Sequence, residues 1–491
     1  MRRVVIPGGG SAGWVVAATL GRVFGPLLDI SLVASDDIPT VGVGESTIPT
    51  ARTFHHLLAI DERKFLRDTQ STFKLGILFE NWGAIGDRYI HSFGTLGRST
   101  WMADFHHIWM KARELGIGGD LGNYCYELKA AEAGKFATSE TVALNYAYHL
   151  DAGLYARSLR GFAEEFGVKR VEGKISRVEQ DGESGFITAL ALESDLRIEG
   201  DLFIDCTGFR GLLIEQTLQT GYEDWSQWLP NNSAMPIQAR SVEPPMPLTR
   251  ATAHEAGWLW GIPLQHRVGH GLVYCSDFMS DDRAHELLHS MVKGEILLEL
   301  RTLRFRAGRR RKFWNKNCIA FGLSSGFVEP LESTSIHLFM NGVTRLVQLF
   351  PFGGVSEAVA DRFNDVTGRE LEAIRDFVVL HYKMTRRNDT GFWNYCREMA
   401  IPDTLHQRIE LFREHAIAFQ AADELFRVDS WMQVMLGQGL QPLSHHGLGD
   451  LMSDDQLRKS LDGLSTNIAR AVEKLPTHQD FIQGYAAAPF R

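Results

Sequence analysis

Cysteine is scarce and scattered in this sequence. Its five residues, Cys125, Cys206, Cys275, Cys318 and Cys396, contain no CxxC pair. An odd count without close pairs excludes a disulfide framework and a cysteine-built zinc site, and fits a reducing cytoplasm; no metal is expected. No apolar run approaches the roughly 20 residues of a membrane span. The opening "MRRVVIPGGG" reaches glycine too soon for the apolar region of a signal peptide. Positive charge is in deficit, the net being −9, which gives no support for nucleic-acid binding. The one basic run, Arg309-Arg310-Arg311-Lys312, leads into the strand-like "FWNKNCIAFG" and reads as a solvated strand entry. Internal repeats, low-complexity linkers and a second dinucleotide fingerprint are also missing. These absences leave an ordinary globular composition, 44% apolar and 23% charged, in 491 residues, enough for more than one structural unit.

What is present begins at residue 2. "RRVVIPGGGSAGWVVAATLGRVFG" reads as strand, tight turn and apolar helix, and "LDISLVASDD" as the next parallel strand of a βαβ unit. Gly8, Gly10 and Gly13 form GxGxxG at that turn, with Ser11 and Ala12 opening the helix. Such glycines allow the turn, the approach of a pyrophosphate and close helix–strand packing, with the helix N-terminus facing the anion. The acidic residue expected after the second strand is replaced by Ala34, so Ser35 or Asp36 has to make the ribose contact. The stretch from Lys169 to Cys206 alternates like a β-meander, residues 233 to 325 are again β-rich, and the chain turns helical after about Ile336. The expected fold is α/β: a Rossmann-like FAD-binding body of the aromatic-hydroxylase type over residues 1–335, interleaved with a β-sheet substrate layer. A mainly helical region, 336–491, caps the substrate pocket.

Two further segments choose FAD over NAD. "DLFIDCTGFRG", with Gly208, looks like the second flavin-binding strand and turn of large flavoproteins; "NCIAFGLSSGFVEPLESTS", with Gly322, looks like the third. Together with "VGVGESTIP", "FKLGILFENW" and "GWLWGIP", these segments make the chain resemble the flavin-dependent tryptophan and indole halogenases over essentially its whole length.

The resemblance implies a two-component reaction. A separate NAD(P)H-dependent flavin reductase supplies reduced FAD, and oxygen with chloride or bromide then gives hypohalous acid. The acid passes to Lys74, which halogenates an aromatic carbon. Glu332 matches the active-site glutamate that accepts the ring proton, and Ser333 matches a relay serine between lysine and flavin. Thr334 and Ser335 match the halide site, where relatives carry glycine at the second position. Gly42, Gly44 and Glu45 match a strap over the flavin, and His91 and Phe93 match the substrate pocket. Trp258 and Trp260, on one side of an extended segment, match a barrier that keeps the organic substrate from the flavin. Relatives acting on free tryptophan grip its charged ends partly with an adjacent tyrosine pair. Here "DSWMQVMLGQGLQP", with Trp431 facing the pocket, has Met432-Gln433 instead, so an indole-like aromatic is expected rather than free tryptophan. The expected partners are the reductase and the small aromatic substrate, with neither nucleic acid nor membrane; the oligomeric state, a homodimer among the options, stays open. The rival readings are an FAD-dependent aromatic monooxygenase and a catalytically silent flavin-binding protein.

Overall fold

The structure is a computed structural model that describes residues 1–38, 44–99, 104–139 and 141–489. Its first layer is a six-stranded sheet in the order Trp314–Asn315, Cys318–Ala320, Leu202–Asp205, Arg3–Pro7, Asp29–Ala34 and Lys169–Glu172. The five strands after the first pair in parallel. Helices and a second β layer cover both faces, which is why Val4, Val5 and Ile6 are all buried rather than alternating. Behind Arg3–Pro7 the chain turns into the helix Ser11–Phe24. Gly13 lets that helix close on the turn, because a Cβ there would run into the carbonyl oxygen of Gly8.

The presumed meander from Lys169 to Cys206 divides between two sheets. Lys169–Glu172 and Leu202–Asp205 enter the parallel sheet, and only Ile175–Gln180, Ile187–Leu192 and Arg197–Glu199 form an antiparallel unit. Period-two alternation announces a strand but not its partner.

The second large sheet runs Ile296–Glu299, Ser233–Arg240, Arg267–Tyr274, Gly257–Pro263, Leu248–His254, Gly76–Glu80 and Arg88–Ser92, with Leu303–Arg304 also on Ser233–Arg240. A small sheet places Ala147–Asp151 between Gly44–Ser46 and Thr72–Lys74. The chain steps from the small sheet into the large one between Lys74 and Gly76. Leu75 N–H donates to the Pro247 carbonyl at that step.

The basic run is not simply solvated. Arg310 is buried, ion-paired with Glu215 at 2.6 Å and set over the Tyr222 ring, and Arg309 pairs with Glu223 and Glu372. Those acids lie far away in sequence, so the run alone does not show them. From Ser335–Gln348 onward the described elements are helical, and the 27-residue helix Glu357–Lys383 carries Phe377, His381 and Tyr382 into the interior. No described helix is long and apolar enough to cross a membrane.

Gly13→Ala is therefore expected to cost about 1–3 kcal/mol through overpacking against backbone. The measurement is the midpoint of urea unfolding; an unchanged midpoint would show that the turn can yield.

Candidate functional site

A cavity of about 960 Å³ opens where the parallel sheet meets the second large sheet. Gly8, Gly10, Ser11, Ala12, Ala34, Ser35, Gly208 and Gly322 line it, as do Gly44 and Glu45 from the small sheet. Gly42 lies outside the described residues. Gly13 packs the helix from behind instead of lining the cavity. The cavity fits a dinucleotide. A Cβ at Gly10 would meet nothing, leaving open space at the helix N-terminus, and Gly8 turns with φ +118°, a conformation reserved for glycine. On the ribose side, Ser35 accepts the Asp37 N–H at 3.3 Å, while Asp36 is taken up by Arg170 at 2.6 Å. The Glu45 carboxyl is pushed up to about 7, first by burial and then by Asp151.

Trp258 and Trp260 project from the strand Gly257–Pro263 into the same cavity, their rings 6.1 Å apart. Each belongs to a wall built for it. Gly271 stands opposite Trp260 and has no side chain to displace it, and the Trp258 indole N–H donates to Glu329 at 3.2 Å. Glu329 is fully buried and also receives Tyr382 at 2.5 Å and Asn231 at 3.0 Å.

Lys74 closes the strand Thr72–Lys74 and is fully buried. Its ammonium donates to Ser46 Oγ at 2.7 Å, Ser333 Oγ at 2.8 Å and the Thr47 carbonyl at 3.2 Å, which uses all three N–H groups. Burial pulls the Lys74 pKa down to about 7, with Glu332 opposing. The hydroxyl directions follow from one carbonyl. Thr72 donates to the Pro263 carbonyl and so must accept from His149 Nδ1; His149 Nε2 then accepts from Thr249, Thr249 from Ser46, and Ser46 from Ser333. Burial, and then Lys74, holds the His149 pKa well below its ordinary value, in keeping with a neutral ring. Ser46, Thr249 and Ser333 line the cavity while Lys74 stands behind them. Ser333 reaches this position with φ +59°, left-handed for a residue with a side chain.

Glu332, next in line, is buried and its carboxylate sits between two imidazoles: His91 Nδ1 at 2.9 Å from one oxygen and His381 Nε2 at 2.9 Å from the other. Burial pushes its pKa up, but the two histidines outweigh that and hold it down to about 2. The carboxylate thus shares the lysine's field without contacting it. Phe93 lies 5.2 Å from the Lys74 nitrogen, measured to its ring centre. The helix Ser335–Gln348 starts beside this cluster with no side-chain cap, and the buried Thr334 hydroxyl finds no partner among the described residues. Its first N–H groups point out of the helix end, as an anion site requires.

The family model for tryptophan halogenases matches residues 3–454. The chain is a member of this family. It is 33% identical to the tryptophan 6-halogenase of Streptomyces toxytricini, over 98% of this chain and 97% of that one. A flavin-dependent halogenase from Xanthomonas campestris superposes with a TM-score of 0.98 at 51% identity, over 100% of this chain and 99% of that one. For one from a Brevundimonas species the values are 0.95 and 43%, with 99% of each chain covered. The α/β fold, with its parallel sheet, is that of flavin-dependent halogenases, and this protein is such an enzyme, an oxidoreductase.

In this halogenase the side chains of Arg427, Asp429 and Gln433 in the C-terminal segment are already engaged. Gln433 accepts from Ser92 N–H and Oγ at 2.9 and 2.8 Å, and its amide nitrogen donates to the Ser92 and Asp429 carbonyls. Arg427 donates to the Phe93 and Gly94 carbonyls, and Asp429 accepts from Leu96. Trp431 packs edge-on against Phe377 at 4.8 Å, its indole N–H without a partner among the described residues. Sequence reading missed Ser46, Thr249, His149, His381 and Glu329. Ser46 lies inside the quoted "VGVGESTIP"; His381 carries no local signal at all.

The Glu332 carboxyl titrates below its ordinary 4.5 in the folded chain. Its charge therefore stabilises the fold fully above pH 4.5, and that share is lost as pH falls toward 2. The stability difference between the native chain and Glu332→Gln, read by urea unfolding, should shrink across that window; a constant difference would remove the charge as its source.

Proposed function

We propose that this halogenase is two-component, supplied with reduced FAD by a separate NAD(P)H-dependent flavin reductase, and that it halogenates an indole-like aromatic rather than free tryptophan. The observation that carries the reading is Lys74: an ammonium with no access to water, behind serines that face the cavity. Reduced FAD, when bound, supplies the electrons with which oxygen turns chloride or bromide into hypohalous acid. The glycine turns at Gly8, Gly10, Gly208 and Gly322 hold it, with Ser11, Ala12, Ser35, Gly44 and Glu45 around it, and the helix end at Thr334 and Ser335 holds the halide. Trp258 and Trp260 admit a small acid past the wall and stop an indole. Ser333, hydrogen-bonded to Lys74 and lining the cavity, relays the acid inward. Lys74 then keeps the electrophile in one place, either by donating a hydrogen bond to it or as the amine that takes the halogen.

The substrate reading rests on the segment from Arg427 to Gln433. Its charged and amide groups are engaged within the protein, so a zwitterion would have to break those bonds to gain its own. His91, Phe93 and Trp431 offer an aromatic surface instead. The sequence and the N-terminal cavity favour no second reading: a monooxygenase would need its substrate at the flavin, on the far side of the tryptophan wall.

With FAD, a flavin reductase, NADH, bromide and indole, mass spectrometry should show brominated indole and little halogenated tryptophan when tryptophan replaces indole. Lys74→Ala should lower product by at least about 100-fold, the low end for a lost catalytic group, while hypohalous acid is still trapped in solution. Lost FAD binding instead would mean that Lys74 belongs to the cofactor site. Trp258→Ala with Trp260→Ala should add a hydroxylated product; unchanged products would leave the pair as core packing.

A further inference from the structure

We propose that His285, His289 and Glu299 form a binding site for a divalent transition-metal ion of the zinc type, at the edge of the second large sheet.

A cysteine-built zinc site is excluded in this chain, but a histidine-built one is written into it. Residues 285–289 read His-Glu-Leu-Leu-His. On a helix that spacing puts two imidazoles on one face, one turn apart, which is how HExxH segments grip zinc. The segment is helical here, within Asp281–Met291, and a third ligand meets it from another element.

The helix is held firmly enough to aim both rings. Ala284 and Leu288 are fully buried on its inner face. Tyr274 donates to Asp281 in its first turn at 2.7 Å, and Arg304 pairs with the same carboxylate. His285 and His289 each follow one of the buried residues, so both stand on the stripe beside them. Their ring centres are 4.3 Å apart.

Glu299 is brought back to them by a sharp return of the chain. Gly294 turns with φ +92°, and a Cβ there would stand 2.4 Å from the Arg240 carbonyl oxygen. The strand Ile296–Glu299 then pairs with Ser233–Arg240, which sets Glu299 opposite Ile237. One Glu299 oxygen lies 2.9 Å from His285 Nε2, and the other lies 3.5 Å from His289 Nε2. One ligand atom from each of the three residues lies within 4.8 Å of the other two.

These spacings suit a metal. Ligands bound to zinc at about 2.0–2.1 Å stand roughly 3.4 Å apart in a tetrahedron. Two imidazoles and one carboxylate are the donor set of open zinc sites, where water is the fourth ligand. The three side chains are 36% to 52% exposed, so an ion and its water reach them directly. As the ion binds, each Nε2 proton moves to Nδ1 through water, and both Nε2 lone pairs turn to the metal. Glu286, the base position of an HExxH hydrolase, is 71% exposed and paired with Arg283. None of the three ligands lines the large cavity. The ion therefore clips the helix to the edge strand and takes no part in halogenation. The chain running on from that strand supplies Arg301, Leu303 and Phe305 to the cavity wall.

The test frees the full chain of metal with a chelator and titrates it with zinc chloride in a calorimeter. One ion per chain should bind. His285→Ala, His289→Ala and Glu299→Gln should each weaken binding by at least about 10-fold, the low end for groups that only orient a ligand. Glu286→Gln should leave it unchanged. Zinc should also slow amide hydrogen exchange across residues 293–299 of the native chain, but not of the variant carrying both alanines. Binding that survives the loss of both histidines would place the ion elsewhere and overturn the proposal. So would no binding at all, or exchange at 293–299 that ignores zinc.

Discussion

A lysine ammonium held away from water needs an acceptor for each of its three N–H groups, and much of the interior is arranged around that need at Lys74. One acceptor is a backbone carbonyl, Thr47; the other two are the hydroxyls of Ser46 and Ser333. Each hydroxyl must then donate elsewhere, and the chain of donors runs through Thr249, His149 and Thr72 to the Pro263 carbonyl at the end of the tryptophan strand. The lysine, the cavity lining and the wall are thereby joined in one hydrogen-bonded array. Ser333 sits in a left-handed backbone conformation that its residue type does not favour, which is consistent with the array holding it there.

Charge is kept in a second buried cluster. Glu332 lies between two histidines: His91 Nδ1 is hydrogen-bonded to one oxygen, and His381, whose Nδ1 donates to the Phe377 carbonyl, brings its Nε2 to 2.9 Å from the other. Lysine and glutamate sense each other only through space. The separation has a consequence for chemistry: a carboxylate bonded directly to Lys74 would keep the amine protonated, whereas here burial is free to lower its pKa.

Much of the dinucleotide-binding architecture was legible in the sequence. At the strand-to-helix turn only glycine fits the angle at Gly8 and the space at Gly13, and such a constraint leaves a local trace. The same holds for Trp258 and Trp260, whose spacing of two along an extended strand sends both to one face. Partners across the fold leave no such trace. Lys169–Glu172 alternates like its neighbours yet joins a different sheet, and Arg310 sits in a basic run yet is buried against Glu215.

The sequence by itself determined the nucleotide-binding turn, the alternation that makes the walls, and the residue types at Lys74, Glu332 and His91. These are properties of short segments, set by backbone sterics and side-chain period. Only the tertiary structure decided which nitrogen or oxygen each of those residues meets. His381 is 49 positions from Glu332 and Ser46 is 287 from Ser333. A hydrogen bond depends on distances near 3 Å, and those exist only once the sheets and the long inner helix have packed.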